Sequence, residues 1–299
     1  MTTPRHRIVD STQPMYYHLD SRCVRRAWLS GKHGRKDYSY RKVWLEERLK
    51  ELAPCFTLEV YAHAIMSNHF HLVVYYNPLA ANGWSAEEVV DRWLTVSPPK
   101  DLNGAIDEGM RELRKSVLLQ QTDEIERLRN NLSSLSVFMK FLKQPIARRA
   151  NLDDNCQGHL FEKRFYSGAL LDEDALLTAM AYVDLNPIRA NIVETLEACE
   201  NTSLADRIHS GEFSLTLHPT LSGLAPREPV LQMNLLGYIL HLRAIIHTDD
   251  QNRLANDEMN RWQQNVSLIK RKQRAFGSAH RLTEWISARG LQLRELPLL

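Results

Sequence analysis

The stretch that most constrains the fold is residues 56–76, "FTLEVYAHAIMSNHFHLVVYY". Two runs rich in β-branched and aromatic residues flank Ser67-Asn68, a pair suited to a tight turn. The pattern predicts an antiparallel hairpin, and a two-residue turn would fix its register. Met66 then faces His69, Ala64 faces His71 and Ala62 faces Val73. Side chains alternate along a strand, so His69 and His71 share one face with Val73 and Tyr75, while Phe70 takes the other. A small alanine across from a histidine leaves room above the sheet. His63 falls on the opposite face, which excludes it as a third ligand beside the pair.

Two imidazoles at i and i+2 can aim nitrogens at one cation. Neutral imidazole suits Zn²⁺ or Mn²⁺ better than Mg²⁺, although phosphate oxygens can complete a mixed site for a harder ion. On this motif alone the two residues read more readily as ordinary strand histidines.

The flanking segments say what covers the hairpin. "MYYHLDSRCVRRAWL" (15–29) reads as a strand running into a basic loop. Helical spacing over 40–52 ends at Pro54. Ser85 and Glu88 suit a capping box. Residues 103–147 are helix-rich, with an apolar run ending at Pro145. After a loop and a short strand, "DEDALLTAMAYVDLN" is a helix with Asp172 as N-cap, and "PIRANIVETLEAC" starts another. Three prolines within 217–229 mark a boundary or long connection, and 230–299 reads as helices. The expected fold class is α+β: an antiparallel sheet with helices packed on it, as a domain over 1–215 with a helical insertion at about 80–147, then a helical C-terminal extension over 216–299.

With 299 residues, 43% apolar, the chain can bury a sizeable core. No apolar run approaches the roughly 20 residues that span a bilayer. The N-terminal stretch has no hydrophobic segment of a secretory signal. Cys23, Cys55, Cys156 and Cys199 form no CxxC pair, which argues against a structural zinc cluster and fits a cytoplasmic location. Net charge is only +2, but residues 1–50 hold twelve Lys/Arg against five Asp/Glu, and "KRKQRAFGSAHR" (270–281) is a second basic stretch. Such clusters can neutralise phosphates or simply be solvated.

Taken together, "YAHAIMSNHFHLVV", "GHLFEKRF", the acidic helix start Asp172-Glu173-Asp174, and Tyr182 followed by Asn186-Pro187 resemble the REP-associated tyrosine transposases, single-tyrosine members of the HUH superfamily. HUH denotes His-hydrophobic-His, here His69-Phe70-His71. The resemblance spans roughly residues 15–195. The stretch between the hairpin and Gly158 is longer than in compact members, and the part beyond about 200 matches only vaguely.

The resemblance implies a ferredoxin-like HUH endonuclease core and a DNA-nicking and -joining activity in transposition. Tyr182 would attack a single-stranded DNA phosphodiester, giving a 5′-phosphotyrosine and a free 3′-OH. His69 and His71 would be catalytic metal ligands for Mg²⁺ or Mn²⁺, with Asn186 as third ligand. Four residues from Tyr182, Asn186 shares its face if the helix continues; before Pro187 it can instead be the N-cap of the next helix. Tyr75, Tyr76 and Tyr166 are rival phenols. Arg22, Arg25, Arg26, Lys163 and Arg164 are the phosphate-contact candidates. The expected partner is single-stranded, palindromic (REP-like) hairpin DNA, with no membrane, and the protein either a monomer or a homodimer. The alternative is a domesticated relative that holds hairpin DNA without cutting it. An unrelated metal hydrolase ranks last, since no H-E-x-x-H set is present.

Overall fold

Met15–Arg22 (β1) forms the middle of the structure because both of its edges are used. The computed structural model describes residues 4, 7–24, 29, 32–33, 36–251, 262, 265–267 and 269–291. After β1 come a two-residue ladder, Lys32–His33 (β2) with Lys36–Asp37 (β3), and helix α1 (Tyr40–Leu52). The hairpin follows as β4 (Leu58–Ile65) and β5 (His69–Tyr76). Helices α2 (Ala86–Val96), α3 (Glu108–Leu118), α4 (Thr122–Leu132) and α5 (Leu135–Asp153) lead to β6 (Tyr166–Leu170). Then come α6 (Glu173–Asp184), α7 (Asn186–Arg189), α8 (Ser203–Ser210), β7 (Leu221–Ser222), α9 (Leu235–Gln251), β8 (Ala275–Phe276) and α10 (Ala279–Ala288).

The fold is α+β. Its main sheet runs β7-β4-β5-β1-β6-β8, antiparallel except where β8 joins β6 in parallel. The hairpin register is the expected one, with Ala64 opposite His71 and Ala62 opposite Val73. The segment after 216, expected to be helical, also supplies the two short strands at the sheet edges.

Both faces of the sheet carry helices. Tyr17, Leu19, Phe70, Leu72 and Val74 pack with apolar residues of α1, α2, α4 and α5 in one core. Ala62, Ala64, Val73 and Leu170 pack with α6 and α9 in the other. The predicted caps form: Ser85 Oγ accepts from the Glu88 N–H, and Asp172 Oδ1 from the Ala175 N–H.

Two local expectations are corrected. The helix expected to stop at Pro145 runs on as α5 to Asp153. Proline lacks the N–H that would bond Phe141 O, and that carbonyl instead accepts from Arg48 Nε on α1 at 3.4 Å. The added turns bring Asp153 and Asp154 to the fully buried Arg41 of α1, whose guanidinium bonds both carboxylates. The helix expected from Pro187 lasts one turn, because Asn191 takes a left-handed conformation (φ +51°) and 191–199 continues as turns.

Gly223 fixes the loop after β7 to the sheet. Its N–H donates to Leu58 O at 2.9 Å, and a Cβ there would lie 2.0 Å from Phe56 O and 2.8 Å from Ala53 O. Backbone cannot step aside as a flexible side chain can, so Gly223→Ala is expected to cost about 2–3 kcal/mol. Thermal unfolding followed by circular dichroism checks this; an unchanged midpoint would show that the loop is not held against the β4 end.

Candidate active site

Register decides which side chains meet above the sheet. β1 pairs with β5 so that Arg22 faces His69, Asp20 faces His71, and His18 faces Val73. On its other edge Asp20 faces Tyr166 and His18 faces Gly168. Directly opposed residues share a face, so one surface presents His69, His71, His18, Asp20 and Tyr166. The room left by Ala62 and Ala64 is filled by α6, and both alanines are fully buried.

Helix α6 brings Tyr182 over this surface. Its ring lies edge-on to His71 and His18, with centroids 5.7 and 5.9 Å away. The His69 and His71 rings are perpendicular, 4.8 Å apart. Leu185 keeps α-helical dihedrals between α6 and α7, so Tyr182 and Asn186 stay on one face, one turn apart. The N-cap position of α7 belongs to Leu185, and no side chain caps it, so Asn186 does not act as the cap.

The rival phenols are otherwise engaged. Tyr166 donates its hydroxyl to Gln273 O. Tyr75 lies under the Arg227 guanidinium, 3.8 Å from its ring centroid, at the far end of the sheet face. Tyr76 donates to Ser133 O. Burial raises the Tyr182 phenol, partly offset by Asn186, so at neutral pH it carries its proton.

Hydrogen bonds orient the histidines. His69 Nδ1 lies 2.7 Å from Asn68 Oδ1. With the amide oxygen in that place, which only accepts, His69 would carry its proton on Nδ1 and a lone pair on Nε2. His71 Nδ1 lies 3.0 Å from His18 Nε2, and His71 Nε2 is buried without a partner. If His71 Nδ1–H donates to His18, its Nε2 is also a free lone pair. The Asn186 amide nitrogen is likewise buried and unpartnered. Exchanging the two ends of the amide, alike in shape, would put its oxygen there. The unpartnered His71 Nε2, with His69 on the same face, suits a divalent cation, and Asn186 would offer it an oxygen only with the amide exchanged. Burial holds His69 and His71 below the ordinary imidazole value and His18 at about 4, so all three are neutral at pH 7, as ligation requires.

Asp20 is buried beneath this group. It pairs with Lys272 at 2.6 Å and with Arg22 at 3.4 Å. Burial pushes its carboxyl up, but His71, Lys272 and Arg22 outweigh that and hold it at about 2. Sequence reading does not reach His18 or Asp20. Their only signal is the alternation of "HLD" in a strand, which names a shared face but not its neighbours.

Arg22 is exposed beside His69. Its carbonyl accepts from the Glu162 N–H at 2.8 Å, so the exposed Lys163 and Arg164 lie close in the chain to this edge. Arg25 and Arg26 lie outside the described residues. Lys163 also lines a groove of about 630 Å³ with Lys140, Lys143, Arg148 and Phe161, between α5 and the loop at 158–163. Among the described residues, Glu46, His63 and Asp206 bring three ligand atoms within 4.8 Å of one another. That group includes neither His69 nor His71, and His63 points to the other face of β4.

No protein-family model and no curated protein matches the chain. Among solved structures, a REP-associated tyrosine transposase bound to a REP hairpin aligns over 78% of this chain and 97% of its own, at 11% identity and a TM-score of 0.41. That overlap is too loose to carry a functional conclusion. Among the described residues no helix is long and apolar enough to cross a membrane.

Two expectations follow. Unfolding returns His18 and His71 towards 6.5. Between the two states' values the unfolded chain binds protons that the folded chain refuses, so stability falls as pH drops from about 6.5 towards 4. Asp20 has the depressed carboxyl, so its contribution is present above 3.8 and lost between there and about 2. Midpoints measured from pH 7 to 5 in metal-free buffer should decline, and less steeply in His18→Gln; a flat profile would mean the histidines are not buried neutral. Second, His18→Ala should weaken Mn²⁺ binding roughly 10- to 100-fold by removing the partner of His71 Nδ1. Calorimetric titration reads this, and an unaltered affinity would show that His18 does not orient the ring.

Proposed function

We propose that the protein is a metal-dependent HUH-type enzyme that nicks and joins single-stranded DNA through Tyr182, acting on palindromic hairpins in DNA transposition. One observation carries the reading: a phenol from α6 lies against the His71 ring, one helical turn from Asn186, and His71 Nε2 is buried without a partner. That convergence joins residues more than a hundred positions apart. Of the motifs that resemble the REP-associated tyrosine transposases, the histidine pair and the tyrosine meet there.

His69, His71 and Asn186 would hold Mg²⁺ or Mn²⁺, which when bound supplies positive charge to a phosphate oxygen and lowers the barrier to attack on an anion. Arg22, with Arg25, Arg26, Lys163 and Arg164, would neutralise flanking phosphates. Tyr182 oxygen forms a bond to phosphorus while the bond from phosphorus to the 3′ oxygen breaks. The phenol gives up its proton, and the departing 3′ oxygen gains one. The products are a 5′-phosphotyrosine and a free 3′-OH, and attack by a 3′-OH on that linkage reverses the step. Asn186, one turn further along the same face, would stand beside the same phosphate.

A second reading keeps the DNA and drops the cut: a domesticated hairpin-binding protein. Nothing about binding alone requires Tyr182, His69, His71 and Asn186 at one place, and their meeting favours the enzyme.

The test is a labelled single-stranded hairpin incubated with the protein and Mn²⁺, then resolved on a denaturing gel. Wild type should give a covalent adduct. Tyr182→Phe should give none while still shifting the hairpin on a native gel, and His71→Ala should reduce the adduct at least 100-fold, the scale of losing a positioned catalytic group. An adduct undiminished in Tyr182→Phe overturns the assignment of the nucleophile. Hairpin binding with no adduct in the wild type favours the second reading.

A further inference from the structure

A second group of ionisable residues lies on the reverse face of β4, away from Tyr182. His63 is fully buried, and neither of its ring nitrogens has a hydrogen-bond partner. An imidazole in that state forfeits hydrogen bonds that it would make in water, which is costly unless another species satisfies it. Its Nε2 is aimed at Asp206 Oδ2 of α8, 3.9 Å away. That gap is too long for a hydrogen bond. It is close to the roughly 3.4 Å that separates two ligands of a tetrahedral ion with bonds of about 2.0–2.1 Å. Glu46 of α1 completes the set, and the three ligand atoms lie within 4.8 Å of one another.

Of the three ligands, Glu46 has an outer hydrogen-bond partner in place. Asn201 donates its amide to Glu46 Oε2, leaving Oε1 to face the Lys50 ammonium. Asn201 is itself held, since its carbonyl accepts from the Ile65 N–H at 3.2 Å. The charge between the carboxylates is supplied by Lys50, whose ammonium lies 2.7 Å from Glu46 Oε1 and 3.0 Å from Asp206 Oδ1. Lys50 does not satisfy His63, since neither imidazole nitrogen has a hydrogen-bond partner. The Lys50 side chain is 42% exposed, so it can swing into solvent without leaving a buried charge behind.

We propose that Glu46, His63 and Asp206 form a structural site for a zinc-class divalent transition metal, with the Lys50 ammonium standing where the ion would sit. One imidazole and two carboxylates are a donor set that Zn²⁺ accepts, and three protein ligands leave a position for water. The ion would tie α1, β4 and α8 together at the β4 edge. The segment it grips also reaches α6. Ser203 accepts from the His63 N–H and donates to Asp184 Oδ1, and Asp184 Oδ2 accepts from the Tyr238 hydroxyl. Asp184 lies two residues beyond Tyr182, so the clamp would steady the base of the helix that carries the phenol. The site does not depend on the activity proposed above.

The experiment uses the full chain carrying His69→Ala and His71→Ala, so that the sheet-face histidines contribute nothing. Titration with Co²⁺ should give about one equivalent with visible ligand-field absorption, and Zn²⁺ should displace it and raise the unfolding midpoint. Adding Asp206→Asn, at a partly exposed position that should leave folding intact, should weaken Zn²⁺ binding by roughly a hundredfold or more, as should His63→Ala. Adding Lys50→Met should tighten binding about tenfold, because the competing ammonium is gone. Absence of Co²⁺ absorption and of any Zn²⁺ effect on the midpoint in the double-histidine variant would overturn the proposal. So would binding indifferent to Asp206→Asn, or weakened by Lys50→Met. None of these readouts involves DNA cleavage, so failure here leaves the proposed function standing, and the reverse holds too.

Discussion

The pairing of β1 with β5 is the interaction on which the rest of the site depends. It sets Asp20 opposite His71 and Arg22 opposite His69, and it brings His18 within hydrogen-bond distance of His71. A slip of one residue would turn every one of these side chains to the wrong face. Such a slip is opposed from below, because Tyr17, Leu19, Phe70 and Leu72 alternate with the polar set and are buried against the helices of the other layer. Apolar burial on one side of the sheet therefore fixes polar geometry on the other.

Over that frame the electrostatics are finely divided. Burial keeps the three histidines neutral, while one carboxylate beneath them stays charged because two cations reach it. One of those cations, Lys272, comes from a residue with φ +55°, a conformation that few non-glycine residues adopt. Its neighbour Gln273 supplies the carbonyl that takes up the Tyr166 hydroxyl. The second basic stretch of the sequence thus has a local task at the sheet in addition to any solvent-facing one.

Much of this could be read from the chain, because its signals are local. The hairpin register came from a two-residue turn, the faces of His69, His71 and His63 from alternation, and the starts of α2 and α6 from Ser85 and Asp172. What escaped depended on distant partners. His18 and Asp20 matter only through a strand some fifty residues later. Pro145 looks like a helix stop until Arg48 is seen to take the freed carbonyl. β7 and β8 are two residues each and gain their identity from β4 and β6, too short for any period of their own. The cap and ligand readings of Asn186 begin from the same Asn-Pro pair, and the continuity of the backbone through Leu185 removes the first without establishing the second.

The parallel pairing of β8 with β6 has a bearing on synthesis. β1, β4 and β5 leave the ribosome about two hundred residues before Ala275 and Phe276 do. For about the last hundred of those residues, once β6 has been made, its outer edge offers its amides and carbonyls to any passing strand. Asp20 meanwhile waits for Lys272, the closer of its two cations. A nascent chain at this stage has its chemistry half assembled and a sticky border exposed, so the pace at which the last third is translated bears on how much of the product escapes aggregation.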